Sequence, residues 1–349
     1  MKNFLAACLA LCPLATPALA QETNISAQQP KPLFASDVPL QLTITGPLPQ
    51  LIGNRENDQA VAGTLAGPDG VSLPVQLKLR GITRRTEEIC EFPPLRIDFT
   101  GPPPATSPFA GQRRLKLVTH CRAAPSFQQQ LLLEYAAYKM YNLLTPKSFR
   151  VRLAKIQYRD ASGRPMVTRD GFFIEDLGDV GRRNGLPETR GRERIPVANL
   201  SPADAGRYGL FQHLIANHDW SMRAGPPRDN CCHNAELIGP LGAGSVVPIP
   251  YDFDFSGLVG ASYATPPDIL SINDVRQRLY RGYCLHNGDA LAAARQMRAM
   301  RPQMLAVLGQ VPGLEVSTQR RATAFLERFF ADIAADETVG AKVLNRCLR

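Results

Sequence analysis

Past residue 20 the sequence has no apolar run long enough to cross a membrane. It has no G-x-x-x-x-G-K-[ST] segment, which excludes a P-loop enzyme. It has neither G-x-S-x-G nor H-E-x-x-H, which argues against the common serine-hydrolase and zinc-protease designs. Aromatic residues make up only 7% and do not interleave with the basic clusters at 80–85, 113–116 and 181–194. Stacking platforms for nucleic acid are therefore not evident, and nucleic acid is an unlikely partner by this reading. The 30 prolines and 27 glycines follow no period, so collagen, coiled-coil and solenoid architectures are out.

The 349 residues that are present suffice for one large domain or two lobes sharing a cleft. Residues 1–20 read as a Sec-type signal peptide: Lys2 is a short positive segment, Phe4 to Leu14 is apolar, and Ala18-Leu19-Ala20 is a small-x-small cleavage site. The expectation is export to a periplasmic or extracellular space. Residues 21–36 read as a flexible polar leader. The net charge is +9, or +8 without the segment bearing Lys2, which suits anionic partners without choosing among them.

Six cysteines remain after residue 20: Cys90, Cys121, Cys231, Cys232, Cys284 and Cys347. In an exported chain they read first as disulfides, with fifteen possible connectivities. Cys90 with Cys121 is expected because both flank strands of the same half. Cys284 with Cys347 would staple the C-terminal tail. Cys231 and Cys232 pair with each other or go elsewhere. A zinc site is weakly indicated, because His218, His233, His286 and the cysteines match no common ligand spacing.

Residues 40–45, 75–80, 95–99 and 114–118 alternate apolar and polar side chains, the pattern of antiparallel strands with one wet face. A helix is expected over 128–144, ended by Thr145-Pro146, and strands over 149–158 and 171–175. Residues 181–194 read as an exposed basic loop. The second half is more helical. Ser201-Pro202-Ala203-Asp204 is a helix start, and 288–308 and 317–334 are amphipathic helices.

Three pieces between 217 and 254 carry the candidate chemistry: Asn217-His218-Asp219, then His233-Asn234-Ala235-Glu236, then Pro250-Tyr251-Asp252-Phe253-Asp254. The last two read as strands of a hairpin joined by the glycine-rich stretch 239–245. Phosphoryl transfer needs a carboxylate to orient or deprotonate the acceptor, hard oxygen ligands for a divalent cation, and cations for phosphate. Asp219 would be the catalytic carboxylate. Asn234 and Asp252 would hold Mg²⁺ or Mn²⁺ with ATP, and Asp254 would be a second ligand or orient the first.

The order of these pieces resembles the spore-coat CotH family of atypical kinases and, more distantly, HipA-like kinases. The family's upstream R-G-x-S-R-like motif has its counterpart in Arg80-Gly81-Ile82-Thr83-Arg84-Arg85, and a glycine–aromatic–glutamate strand in Gly171-Phe172-Phe173-Ile174-Glu175. The match spans roughly 80 to 257. The lysine usual after the first motif is missing at Phe92 to Arg96, so Arg96 or Lys116 would take the phosphate-binding role. Lys116 with Glu134 is a candidate ion pair, and Arg80 and Arg84 join them in positioning phosphates.

The resemblance implies an α+β, two-lobed atypical kinase-like fold. An antiparallel-sheet lobe over 37–178 would be joined through 179–194 to a mainly helical lobe over 195–349. It implies phosphate transfer from a metal-bound nucleotide to a protein or envelope acceptor. The competing expectation is a non-catalytic binding or scaffold protein.

Overall fold

The computed structural model describes residue 1 and residues 29–56, 58–190, 193–226 and 229–349. Residues 2–20 of the expected signal peptide and half of the leader, residues 21–28, lie outside the described residues.

The alternating segments do form strands. These are β1 (Leu40–Thr45), β2 (Val61–Ala66), β3 (Ser72–Leu79), β4 (Leu95–Phe99) and β5 (Arg114–Val118), with β6 (Val151–Arg159) and β7 (Pro165–Ile174) after a long helix. They do not form an open sheet. Their order is β1-β2-β3-β4-β5-β7-β6, and β6 returns to β1 to close a barrel. Every pairing is antiparallel except the closing one, where Leu40–Thr45 runs parallel to Ala154–Arg159.

This overturns the expected two-lobed kinase-like fold. A kinase-type sheet lobe has free edges, whereas here β1 is paired on both sides and no edge remains. The fold is α+β, with a closed seven-stranded barrel in place of the open sheet.

Period-two patterning fills the barrel. Leu42, Ile44, Leu77, Ile97, Leu117 and Ile156 point inward with Tyr158 and Phe173, all buried in one core. Leu33 and Phe34, in the stretch read as leader, are buried in the same core. The short helix α1 (Leu48–Gly53) adds Leu48 and Leu51.

Beside the long helix that precedes them, the outer faces of β6 and β7 are not wet, whereas Lys155 and Met166 further along them are exposed. Leu153, Phe172 and Ile174 join a second core around helix α2 (Pro125–Leu144). That core also takes in α4 (Pro202–Leu214), α5 (Asn287–Ala299), α6 (Arg301–Gln310), α7 (Val316–Asp332) and α8 (Asp336–Lys342). Helix α2 is thus shared between the barrel wall and the helical layer. The apolar residues of α2 surround much of its circumference, as expected of a helix packed on several sides.

Two local details differ from the sequence reading. The expected helix over 288–308 breaks at Met300, because Pro302 lacks an N–H and fits only the first turn of a new helix, α6. The Ser201 hydroxyl bonds the Asp204 carboxylate at 2.6 Å and makes no cap to a backbone N–H of α4. The basic stretch 181–194 begins inside a short helix, α3 (Leu177–Arg183), and its residues 191 and 192 lie outside the described residues.

The expected hairpin is present as β8 (Ala235–Ile238) and β9 (Val247–Pro250), a separate two-stranded sheet. Cys90 bonds Cys121 and Cys284 bonds Cys347, the two pairings expected from sequence. Cys231 and Cys232 are bonded to each other. With the cysteines so engaged, they are not available to a zinc site. No helix among the described residues is long and apolar enough to cross a membrane.

Candidate active site

The loop after α4 is fixed by its own side chains. Ala216 takes a left-handed conformation (φ 50°) that turns the chain out of the helix. Asn217 Oδ1 accepts the Asp219 N–H at 3.1 Å, and Trp220 Nε1 donates to the Asn217 carbonyl at 2.9 Å. Trp220 is anchored against Tyr208, with ring centroids 5.0 Å apart. Ser221 and His233 exchange backbone hydrogen bonds, which brings the loop beside the start of β8.

Asp219 is therefore held against two successive residues of the hairpin. His233 Nε2 lies 2.6 Å from Asp219 Oδ1, and Asn234 Nδ2 donates to Asp219 Oδ2 at 2.9 Å and to its carbonyl at 2.7 Å. The hydrogen bond and the Asp219 charge raise the His233 pKa above its ordinary value. Both amide donors of Asn234 are thus engaged with Asp219.

The Tyr251 N–H donates to the Asn234 carbonyl at 3.3 Å, carrying the hairpin pairing one residue beyond the strands. At the two ends of this extension Asn234 and Asp252 are both left-handed, with φ of 47° and 58°. Asn and Asp tolerate this region best among residues with a side chain, yet it still costs energy, and such positions cluster at functional sites. The Asp252 N–H donates to Tyr138 Oη on α2 at 2.8 Å, and Phe253 packs on Tyr138.

One guanidinium ties the motifs together. Arg84 reaches Glu134 with two nitrogens, at 3.2 and 3.3 Å, and also meets Asp252 at 3.1 Å and Asp254 at 3.2 Å. Tyr263 Oη donates to Asp254 at 3.0 Å. Glu134 and Asp254 are buried, whereas the Asp252 side chain is 40% exposed. Burial pushes Glu134 up to about 7 despite Arg84, and raises Asp254 as well. Three carboxyl groups thus surround one arginine, and the open face of the cluster is Asp252.

The expected Lys116–Glu134 ion pair does not form, because Arg84 occupies Glu134. Lys116 is on the outer barrel wall beside Glu236 of β8, with its ammonium 5.8 Å from the Phe149 ring. Phe149 in turn packs edge-on to Tyr251 at 6.0 Å. Burial lowers the Lys116 pKa and raises that of Glu236, each partly offset by the other's charge. Arg96 faces Asp98, at 2.7 Å, on the barrel exterior, in register between Lys78 and Lys116. Arg80 makes no ion pair among the described residues. Its charge is felt by Lys116, Glu236, Tyr251 and Glu134, so it lies within electrostatic reach of both Lys116 and the Arg84 cluster.

Lys116 and Glu236 line a cleft of about 1010 Å³ between the barrel wall and α3, together with Arg113, Asp176 and Arg182. Of the residues named from sequence, Asn234 bonds Asp219, and Arg84 gathers Glu134, Asp252 and Asp254; the two groups are joined through the backbone bond from Tyr251 to Asn234. Lys116 and Arg80 flank them, and Arg96 stands off on the barrel. Tyr138 and Tyr263 belong to the site but were not singled out from sequence, and His233 and Glu236 were named only within their motif or as a zinc ligand, without the partners seen here. Only His233 and Glu236, on either side of Asn234, carried a local signal.

Among the described residues no group of three or more His, Cys, Asp or Glu side chains is arranged to hold a metal ion. Two residues of the site keep an oxygen open. Asn234 has its amide nitrogen engaged, which leaves Oδ1 as an acceptor, and Asp252 has one oxygen on Arg84 and a second oxygen without a hydrogen bond among the described residues. Oxygen donors of this kind suit Mg²⁺ or Mn²⁺ better than zinc. Asp254 is turned onto Arg84 and Tyr263, so it orients the cluster.

Compared with protein-family models and with curated proteins, the chain matches none.

Proposed function

We propose that this site transfers phosphate from a metal-bound nucleotide to a hydroxyl of a protein or envelope acceptor. The observation that carries the reading is that three separate segments are joined here, Asn234 bonding Asp219 through its side chain and Tyr251, the neighbour of Asp252, through its backbone, with Lys116 and its cleft beside Glu236 of the same hairpin. Asn234 Oδ1 and the free Asp252 oxygen would hold the divalent cation, which supplies charge neutralisation at the phosphates when bound. Lys116 and Arg80 attract the phosphate charge. Asp219, both of whose oxygens already accept a hydrogen bond, is better suited to orient an acceptor hydroxyl than to act as a strong base. The motif order that resembles CotH proteins supports the same assignment of roles, on a different strand architecture. The disulfides and the signal-like residues 1–20 support work outside the cytoplasm.

One observation favours a second reading, in which the cleft binds without transfer. Arg84 sits on Asp252 and competes with a cation for it. Incubation of the oxidised protein with γ-labelled ATP and Mn²⁺, beside Asp219→Asn, separates the two. Label on protein or envelope material, lost in the variant while nucleotide binding persists, is the expected result. Binding without any label transfer would leave the scaffold reading.

A further inference from the structure

A second basic site lies away from this network. A groove of about 600 Å³ runs between the start of α2, the turn 257–260 and one face of α7. Arg276, Arg321 and Arg328 line it, and none makes an ion pair among the described residues. In the larger cleft, by contrast, Arg182 is matched by Asp179 and Arg190 by Glu188.

Each of the three is nevertheless held in place. Gly260 is left-handed (φ 59°), and a Cβ there would come 2.5 Å from Arg276 Nη2, so the glycine lets this guanidinium lie on the turn. Gly257 similarly makes room for the backbone at Val275 and Arg276. Arg321 donates to the Thr318 hydroxyl at 2.9 Å. Arg328 stacks on Phe325 at 5.6 Å, and the opposed Arg278 covers the same ring at 4.0 Å. Arg278 gives its own donors to the Leu214 and Phe325 carbonyls.

The positive charge is scarcely balanced. Glu315 is the one acid among the lining residues, and nearby Asp332 is paired with Lys342. The first turn of the 20-residue α2, which opens on the groove at Pro125 and Ser126, has no capping side chain and no acid. Its exposed amide ends add to the potential. Leu133, Leu258 and Phe325 supply an apolar floor. Arginine forks matched to phosphate oxygens beside an apolar floor are the chemistry of a phosphate ester with an apolar portion.

We infer that this groove is a second, metal-independent binding site for a phosphate ester, separate from the Asp219–Asp252 site. The phosphate meets Arg276, Arg321 and Arg328, and the apolar part of the ligand lies along Leu133, Leu258 and Phe325. The ester is either soluble or the headgroup of an anionic lipid, and the two sources share this chemistry.

The test is binding by the oxidised full chain in EDTA, with pyrophosphate or naphthyl phosphate in one arm and phosphatidylglycerol vesicles in the other. Phosphatidylcholine vesicles and polyglutamate are the controls. Arg321→Gln with Arg328→Gln is expected to weaken binding about tenfold or more, the loss of charged hydrogen bonds. Both arginines are exposed, so the variant should fold, and an unchanged melting temperature checks this. Arg328→Lys should lose less. Asp252→Ala should leave this binding unchanged, which separates the groove from the site proposed above. Binding of soluble esters supports the inference with a soluble ligand, and binding of phosphatidylglycerol alone supports it with a lipid headgroup. No binding in either arm, binding unaffected by the arginine substitutions, or binding of polyglutamate alone would overturn it.

Discussion

His233 Nε2 lies 2.6 Å from Asp219 Oδ1, and the next residue, Asn234, holds the other oxygen of the same carboxylate. A backbone pairing of Ser221 with His233 makes this contact a property of the loop and hairpin together. The pair joins an acid proposed to face the acceptor to a titratable ring.

The His233 pKa should therefore lie above the ordinary 6.5, raised first by its hydrogen bond to Asp219. The sign follows from linkage. The pair's stabilisation is fully present below pH 6.5 and is lost as pH rises through the raised folded value. Imidazole proton shifts followed by NMR titration measure it. Asp219→Asn should return the His233 midpoint towards 6.5, and an unchanged midpoint would mean that Asp219 does not set it.

Arg84 and its three carboxylates give a second prediction. Removing the guanidinium leaves Glu134, Asp252 and Asp254 without their common partner. Arg84→Ala should cost about 3–5 kcal/mol in denaturant unfolding, the usual penalty for breaking a buried pair. Glu134 itself titrates in the opposite sense from most acids. Burial holds its folded value at about 7 against an ordinary 4.5, so the folded state binds the extra proton. Stability from this group is lost as pH rises from 4.5 to 7. The wild type should thus lose stability relative to Glu134→Gln across that window. A parallel pH dependence in the two proteins would remove Glu134 as its source.

The strands at Leu40–Thr45, Leu95–Phe99 and Arg114–Val118 were legible because alternation marks one buried face. Alternation says nothing about which strand is the neighbour. The parallel pairing of β1 with β6 joins residues more than a hundred apart in sequence, and no local pattern announces it. The fold expectation failed at that pairing. The site was legible to the extent that its motifs are local: Asn234 does meet Asp219, and Asp252 follows the residue whose N–H bonds the Asn234 carbonyl. Arg84 with Glu134 was missed in favour of Lys116 because a helix residue can face several strands, and only packing decides which cation it meets.

The disulfides were legible from compartment and strand position, and they carry their own prediction. Cys284 and Cys347 close a loop across 63 residues and tie the chain end to Tyr283, which pairs with Leu348. Replacing both cysteines by serine should lower stability by about 2–5 kcal/mol, as constraint on the unfolded chain is released. Thermal unfolding with and without the pair measures this. Equal midpoints would show that the staple adds nothing to the fold.

The central claim is that Asn234 and Asp252 hold a metal-bound nucleotide beside Asp219. Titration calorimetry of the oxidised protein with ATP tests it most directly, in Mn²⁺ or Mg²⁺ and again in EDTA, beside Asp252→Ala. The account predicts saturable binding with metal that weakens at least about tenfold in Asp252→Ala and in EDTA, the scale of losing a charged ligand contact. Absence of binding at millimolar ATP, or equal binding by the variant, would contradict it.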